Sequence, residues 1–154
     1  MSKIGRRRHN RGMKTHHLSI DPICIECGGR GVLTSGPNYR PLRLDLADRW
    51  FYVCACGASV GSHPDTRTPF GYPCGPDTAR ARHEVHTLFD PIWKADEGHG
   101  QRRQKARDRA YMWLSRELEI SPDRCHIGMF DRATCERAKV LLEAYIRKGG
   151  RGVS

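Results

Sequence analysis

The chain has 154 residues, enough for one domain and too few for two independent cores. A hydrophobic content of 38% and a mean hydropathy of −0.67 leave material for a core with little surplus, and no apolar stretch of about 18 residues is present to span a membrane. Lys and Arg number 27 against 17 Asp and Glu, giving a net charge of +10, the balance of a chain that meets polyanions such as nucleic acid, although arginines kept for solubility alone would give the same totals.

Residues 1–19 read as a basic flexible arm. Lys3, Arg6, Arg7, Arg8, Arg11 and Lys14 are interleaved with His9, His16 and His17, and no acid occurs before Asp21. A block of like charge repels itself, buries nothing and is expected to stay disordered until phosphates neutralise it. It lacks the apolar centre of a secretory signal and the periodicity of a transit helix, so a cytoplasmic location is expected.

Residues 20–76 read as a zinc-ribbon module with an irregular connector. Cys24-Ile25-Glu26-Cys27-Gly28-Gly29 precedes Val32-Leu33, and the aromatic and β-branched run Trp50-Phe51-Tyr52-Val53 suits a strand that continues after Gly57 as Ala58-Ser59-Val60. Pro64, Pro69, Pro73 and Pro76 make 62–76 irregular.

Residues 77–148 read as a three-helix part. Asp77 is the expected cap of the first helix, whose stripe is Val85, Leu88, Phe89 and Trp93 and which Pro91 is expected to end or kink. A polar stretch, Asp96 to Gly100, leads to a second helix from about Gln101 to Glu119 with the stripe Tyr111, Leu114 and Leu118. Ser121-Pro122 opens a turn, and Gly128 is expected to adopt a backbone conformation other residues resist, setting Met129 and Phe130 into the core. The last helix follows Asp131 with Cys135, Ala138, Leu142 and Tyr145 on one face, and 149–154 form a tail. The fold class is therefore α+β: a small N-terminal zinc β-ribbon packed with a C-terminal three-helix part and preceded by a disordered basic arm.

Seven cysteines is an odd number, and four of them form close pairs rather than disulfide-like intervals. In Cys24-x-x-Cys27 a tight turn eased by Gly28 points both sulfurs inward, and Cys54-Ala55-Cys56-Gly57 follows a strand as the second half of a ribbon should. Four thiolates complete a closed tetrahedral site with no open position for a catalytic water, so one structural zinc is expected. Because C-x-C is shorter than usual, His63 or Cys74 remains an alternative for one of the second pair. A redox role for C-x-x-C would want a βαβ context that this stretch lacks.

The strings Cys24-x-x-Cys27-Gly28, Val53-Cys54 with Cys56-Gly57-Ala58-Ser59-Val60-Gly61-Ser62-His63, Thr68-Pro69-Phe70-Gly71, Arg82 to His86, Phe89-Asp90-Pro91-Ile92-Trp93, Tyr111-Met112-Trp113-Leu114 and Cys125-His126-Ile127-Gly128-Met129-Phe130-Asp131 occur in this order. With them the chain resembles, from about residue 24 to 142, a zinc-finger-containing family of phages and prophages whose function is unknown. The resemblance implies a phage origin and a zinc site, and it supplies no mechanism. The shortened C-x-C departs from the family pattern, and the basic arm lies outside the resemblance.

Binding to nucleic acid, DNA or RNA, is the leading functional expectation. Arg6, Arg7, Arg8, Arg11 and Lys14 of the arm would act with Arg102, Arg103, Lys105 and Arg107 at the start of the second helix, where cations oppose the helix dipole and an external anion would compensate them. Arg80, Arg82 and Arg109 add to that surface. The alternative is a module that binds a host or phage protein through an acidic surface. A metal-dependent nuclease using His63, His83, His86 or His126 is the weakest reading, because no recognised catalytic spacing forms. Trp50, Trp93 and Trp113 could stack on bases, but core positions are the expectation.

Overall fold

The computed structural model describes residues 20–95 and 101–150, so the basic arm, residues 1–19, lies outside the described part. The first unit is an antiparallel sheet in the order β1 (Val32–Ser35), β2 (Trp50–Val53) and β3 (Ser59–Gly61). Leu33 pairs with Tyr52 and Ser35 with Trp50 on one side, and Phe51 pairs with Gly61 on the other. Aromatic and β-branched side chains make β2 the central strand, yet all four of its residues are only partly buried, so neither face of the sheet is sealed.

The connection from β1 to β2 starts with a single helical turn, α1 (Gly36–Tyr39), whose first turn is capped by the Ser35 hydroxyl accepting the Asn38 N–H at 3.3 Å. At its tip Leu42 and Leu44 are 94% and 84% exposed.

Three longer helices follow: α2 (Pro76–Lys94), α3 (Gln101–Leu118) and α4 (Arg132–Arg147). Helix α2 packs mainly on α4 and less extensively on α3. Val85 and Phe89 of α2, Trp113, Leu114 and Leu118 of α3, and Cys135, Ala138 and Leu142 of α4 meet in one core with Ile127 and Phe130. These positions follow the 3.6-residue period that the sequence shows, whereas Leu88, Trp93, Tyr111 and Tyr145 from the expected stripes sit at the rim, partly buried. Burying each large apolar side chain contributes about 1.5–3 kcal/mol, so this cluster carries most of the fold's stability.

Several local expectations are corrected. Gly75, not Asp77, is the N-cap of α2; Asp77 lies inside the first turn, where its carboxylate favours the helix dipole and pairs with Arg80 at 3.6 Å. Pro91 does not end α2, which runs on to Lys94, because a missing N–H in the last turn removes a single bond while the Ala95 N–H still donates to the Pro91 carbonyl at 3.0 Å. Gly128 has no positive φ; what it and Gly71 supply is close approach, since a Cβ on Gly71 would collide with the Gly128 carbonyl. Phe130 is buried, while Met129 is only partly so. Asp131 caps α4 as expected, its side chain accepting the Thr134 N–H at 2.7 Å.

Ribbon and helices meet along a polar seam. The Tyr72 N–H donates to the Gly128 carbonyl at 2.9 Å. Arg82, expected on a binding surface, is instead buried to 7% exposure and donates from Nε to the Phe130 carbonyl and from Nη1 to the Tyr72 carbonyl, each at 2.8 Å. A planar fork with several donors can tie two chain segments at once, and burial lowers its pKa from the ordinary value. Arg82 is therefore a brace and not a nucleic-acid contact.

Candidate metal centre

Two short turns bring the cysteine pairs together. In the first, the Gly28 N–H donates to the Cys24 carbonyl at 2.9 Å and the Cys24 N–H donates to the Gly29 carbonyl at 2.7 Å. In the second, the Gly57 N–H donates to the Cys54 carbonyl at 2.9 Å and the Cys54 N–H donates to the Ala58 carbonyl at 2.8 Å. Each turn ends on a left-handed glycine, Gly28 with φ +76° and Gly57 with φ +94°. The first turn closes over five residues and the second over four, which explains how C-x-C performs the task of C-x-x-C. A tighter turn absorbs the missing residue and still aims the second sulfur at the first pair.

Cys24 Sγ lies 3.6 Å from Cys56 Sγ, and Cys27 Sγ lies 3.4 Å from Cys54 Sγ. All four sulfurs fall within 4.8 Å of one another, and among the described residues no other group of three or more His, Cys, Asp or Glu side chains could hold a metal. A tetrahedron with zinc–sulfur bonds of about 2.3 Å has edges of about 3.8 Å, so the cluster matches a zinc ion in both size and donor chemistry. Gly29 fits the same geometry, because a Cβ there would stand 3.1 Å from Cys54 Sγ and 3.3 Å from Cys27 Sγ, while its N–H donates to Cys27 Sγ at 3.4 Å.

Holding a divalent ion here requires the thiols to give up their protons. The Gly29 N–H favours the Cys27 thiolate, but without a cation the neighbouring thiols of Cys54 and Cys56 outweigh it and push the Cys27 pKa up to about 12. A divalent ion removes that conflict by replacing the protons.

The alternative ligands lie elsewhere. His63 sits edge-on to Phe70 with ring centroids 4.5 Å apart, and buried Cys74 exchanges backbone hydrogen bonds with Ser59 in a β-bridge. Burial raises the pKa of Cys74, and it raises those of Cys125 and Cys135 to about 12 and about 11, so these three behave as packing residues.

Cys24 and Cys54 are buried, whereas Cys27 and Cys56 are exposed and line a cavity of about 730 Å³ between the ribbon and the starts of α2 and α4. Glu26, between the first two ligands, reaches across that cavity. Its carboxylate accepts from the Thr78 hydroxyl at 2.7 Å and from the Gly75 N–H at 3.3 Å, bonds that hold its pKa below the ordinary carboxylate value. The side-chain cap of α2 thus comes from the metal turn. Sequence reading missed it because a cap supplied from so far along the chain has no local signature.

The cations expected to contact nucleic acid fall into two groups. Arg6, Arg7, Arg8, Arg11 and Lys14 lie outside the described residues. Arg102, Arg103 and Lys105 are exposed on α3, and Arg107 is partly buried with its guanidinium 5.1 Å from the Tyr111 ring. Ile20, where the arm joins, shares a groove with Asp123, and Asp123 shares the next groove with Arg107. Arg102, Arg103 and Lys105 line neither groove. The four histidines form no cluster: His83 is exposed, His86 Nδ1 lies 3.2 Å from Asp90 Oδ1, and His126 stacks on Tyr111.

A ribbon closed by two cysteine turns, with four sulfurs spaced for one tetrahedral ion and no open coordination position, defines a structural zinc-finger domain. Residues 21–145 match the model of a family described as a zinc-finger-containing domain, DUF3268, and the chain belongs to that family. No curated protein and no solved structure matches the chain. None of the described helices is long and apolar enough to cross a membrane.

Proposed function

We propose that the protein is a structural-zinc domain that binds nucleic acid, mainly through phosphate contacts made by the basic arm and the start of α3. The observation that carries this reading is the exposure of Arg102, Arg103 and Lys105 together on one helix. Residues 101–109 hold five cations, Arg102, Arg103, Lys105, Arg107 and Arg109, against the single acid Asp108. Arg102 and Arg103, in the first turn, oppose the helix dipole, and the whole cluster is like-charged, so a phosphate backbone beside it would be favourable.

The test is affinity for short oligonucleotides across a salt series. If six or more of these cations meet phosphates, affinity falls by about a thousandfold or more between about 50 and 200 mM salt, and deleting residues 1–17 flattens that slope. Absence of binding at low salt would overturn the reading.

A second reading, a module that binds another protein, is favoured by one observation: Leu42 and Leu44 stand almost wholly exposed at the tip of the β1–β2 connection. It is separated from the first by capture of a partner after nuclease treatment, with loss of capture on Leu42→Ser. The nuclease reading finds no support in the scattered histidines.

A further inference from the structure

Arg67 and Glu119 are the two non-glycine residues with positive φ among those described. Arg67, at φ +56°, closes a loop in which the His63 N–H donates to the Thr68 carbonyl at 2.9 Å and the Arg67 N–H donates to the His63 carbonyl at 2.8 Å. The last position of such a hairpin loop calls for Gly or Asn. An arginine there costs about 1–2 kcal/mol in backbone strain. The Tyr52 hydroxyl nevertheless holds the residue in place by donating to its carbonyl at 2.6 Å.

What the strained backbone achieves is the placement of one side chain. The Arg67 guanidinium lies over the Trp50 ring, 4.0 Å from its centroid. An exposed cation–π contact returns about 0.5–1 kcal/mol, so the stack recovers at most the strain that positions it. Trp50 was expected in the core, but it is only partly buried on the open sheet, two residues from Tyr52 and so on the same face. Arg67 is exposed, and the Trp50 ring is the aromatic partner its guanidinium stacks on.

We infer that the Arg67–Trp50 stack is a seat for an unpaired nucleobase. A base laid on the outer guanidinium plane continues the column of indole and guanidinium, and the positive charge suits the adjoining phosphate. Bases inside a duplex already have both faces covered, so the seat selects single strands or splayed ends. The inference rests on the nucleic-acid reading above and adds to it a substrate preference located on the ribbon, away from α3.

Two substitutions test it. Arg67→Gly suits the left-handed position, and Arg67→Lys keeps the charge without the plane. Binding is measured with a single-stranded DNA oligonucleotide and a duplex of equal length, alongside thermal melting. The expected result is that Arg67→Gly melts no lower than wild type, that both variants lose about tenfold in single-strand affinity, and that Arg67→Lys leaves duplex affinity unchanged. Wild-type single-strand affinity in both variants would overturn the seat, and if wild type still shows salt-steep binding the phosphate-contact reading stands without it. If wild type binds neither oligonucleotide at low salt, both readings fall.

Discussion

The Glu26 carboxylate accepts a 2.7 Å hydrogen bond from the Thr78 hydroxyl, joining the turn that carries two metal ligands to the first turn of α2 across 52 residues of chain. With the Gly75 N–H it forms a charged cap on α2. Replacing Glu26 by Ala is expected to lower stability by about 1–2 kcal/mol while leaving one zinc per chain, as read by denaturant titration and metal analysis.

The same bond sets a pH dependence. The folded pKa of Glu26 lies below its ordinary value of 4.5, so its contribution is fully present above that value and fades as the pH falls through the lower folded pKa. Subtracting the stability curve of Glu26→Gln from that of wild type should therefore give a difference that is constant near neutrality and shrinks at acid pH. A difference that stayed constant throughout would rule out the charged cap.

Metal removal should unfold the ribbon. One zinc per chain is expected, with Cys24→Ser and Cys54→Ser losing the metal, while Cys74→Ser and His63→Ala retain it, since neither residue belongs to the sulfur cluster. Because protons must leave the thiols, zinc affinity is expected to rise with pH, and binding should release protons that a weakly buffered titration detects.

In the helical part, Phe89→Ala is expected to cost about 3–5 kcal/mol, because Phe89 is fully buried among all three long helices. Melting of the zinc-loaded chain reads this loss.

Arg82→Lys should destabilise by about 2 kcal/mol despite keeping the charge, since an ammonium cannot reach the Phe130 and Tyr72 carbonyls together. A loss matching that of an exposed arginine such as Arg80 would show that the bridge carries little.

The metal turns and the helices were legible because both rest on local patterns: cysteines beside glycines at Cys27-Gly28 and Cys56-Gly57, and apolar residues at helical spacing through Val85, Leu114 and Leu142. The features that escaped depend on partners far along the chain. Nothing near Arg82 announces that two carbonyls wait for it, and nothing near Glu26 announces a helix whose N-cap, Gly75, has no side chain to offer. Trp50 was misplaced for a different reason. Its strand has the composition of a buried one, but a three-stranded ribbon stabilised by a metal has no need to seal either face.

The two metal turns also bear on the order in which the chain assembles during synthesis. All four cysteines precede the first residue of α2, Pro76, so their sulfurs leave the ribosome before that helix does. Zinc can close the ribbon at that stage and hold Glu26 in the position its later partners require. When Gly75 and Thr78 leave the ribosome, the helix they begin meets an anchor already in place, and the slower packing of α3 and α4 starts from a fixed end rather than a free one.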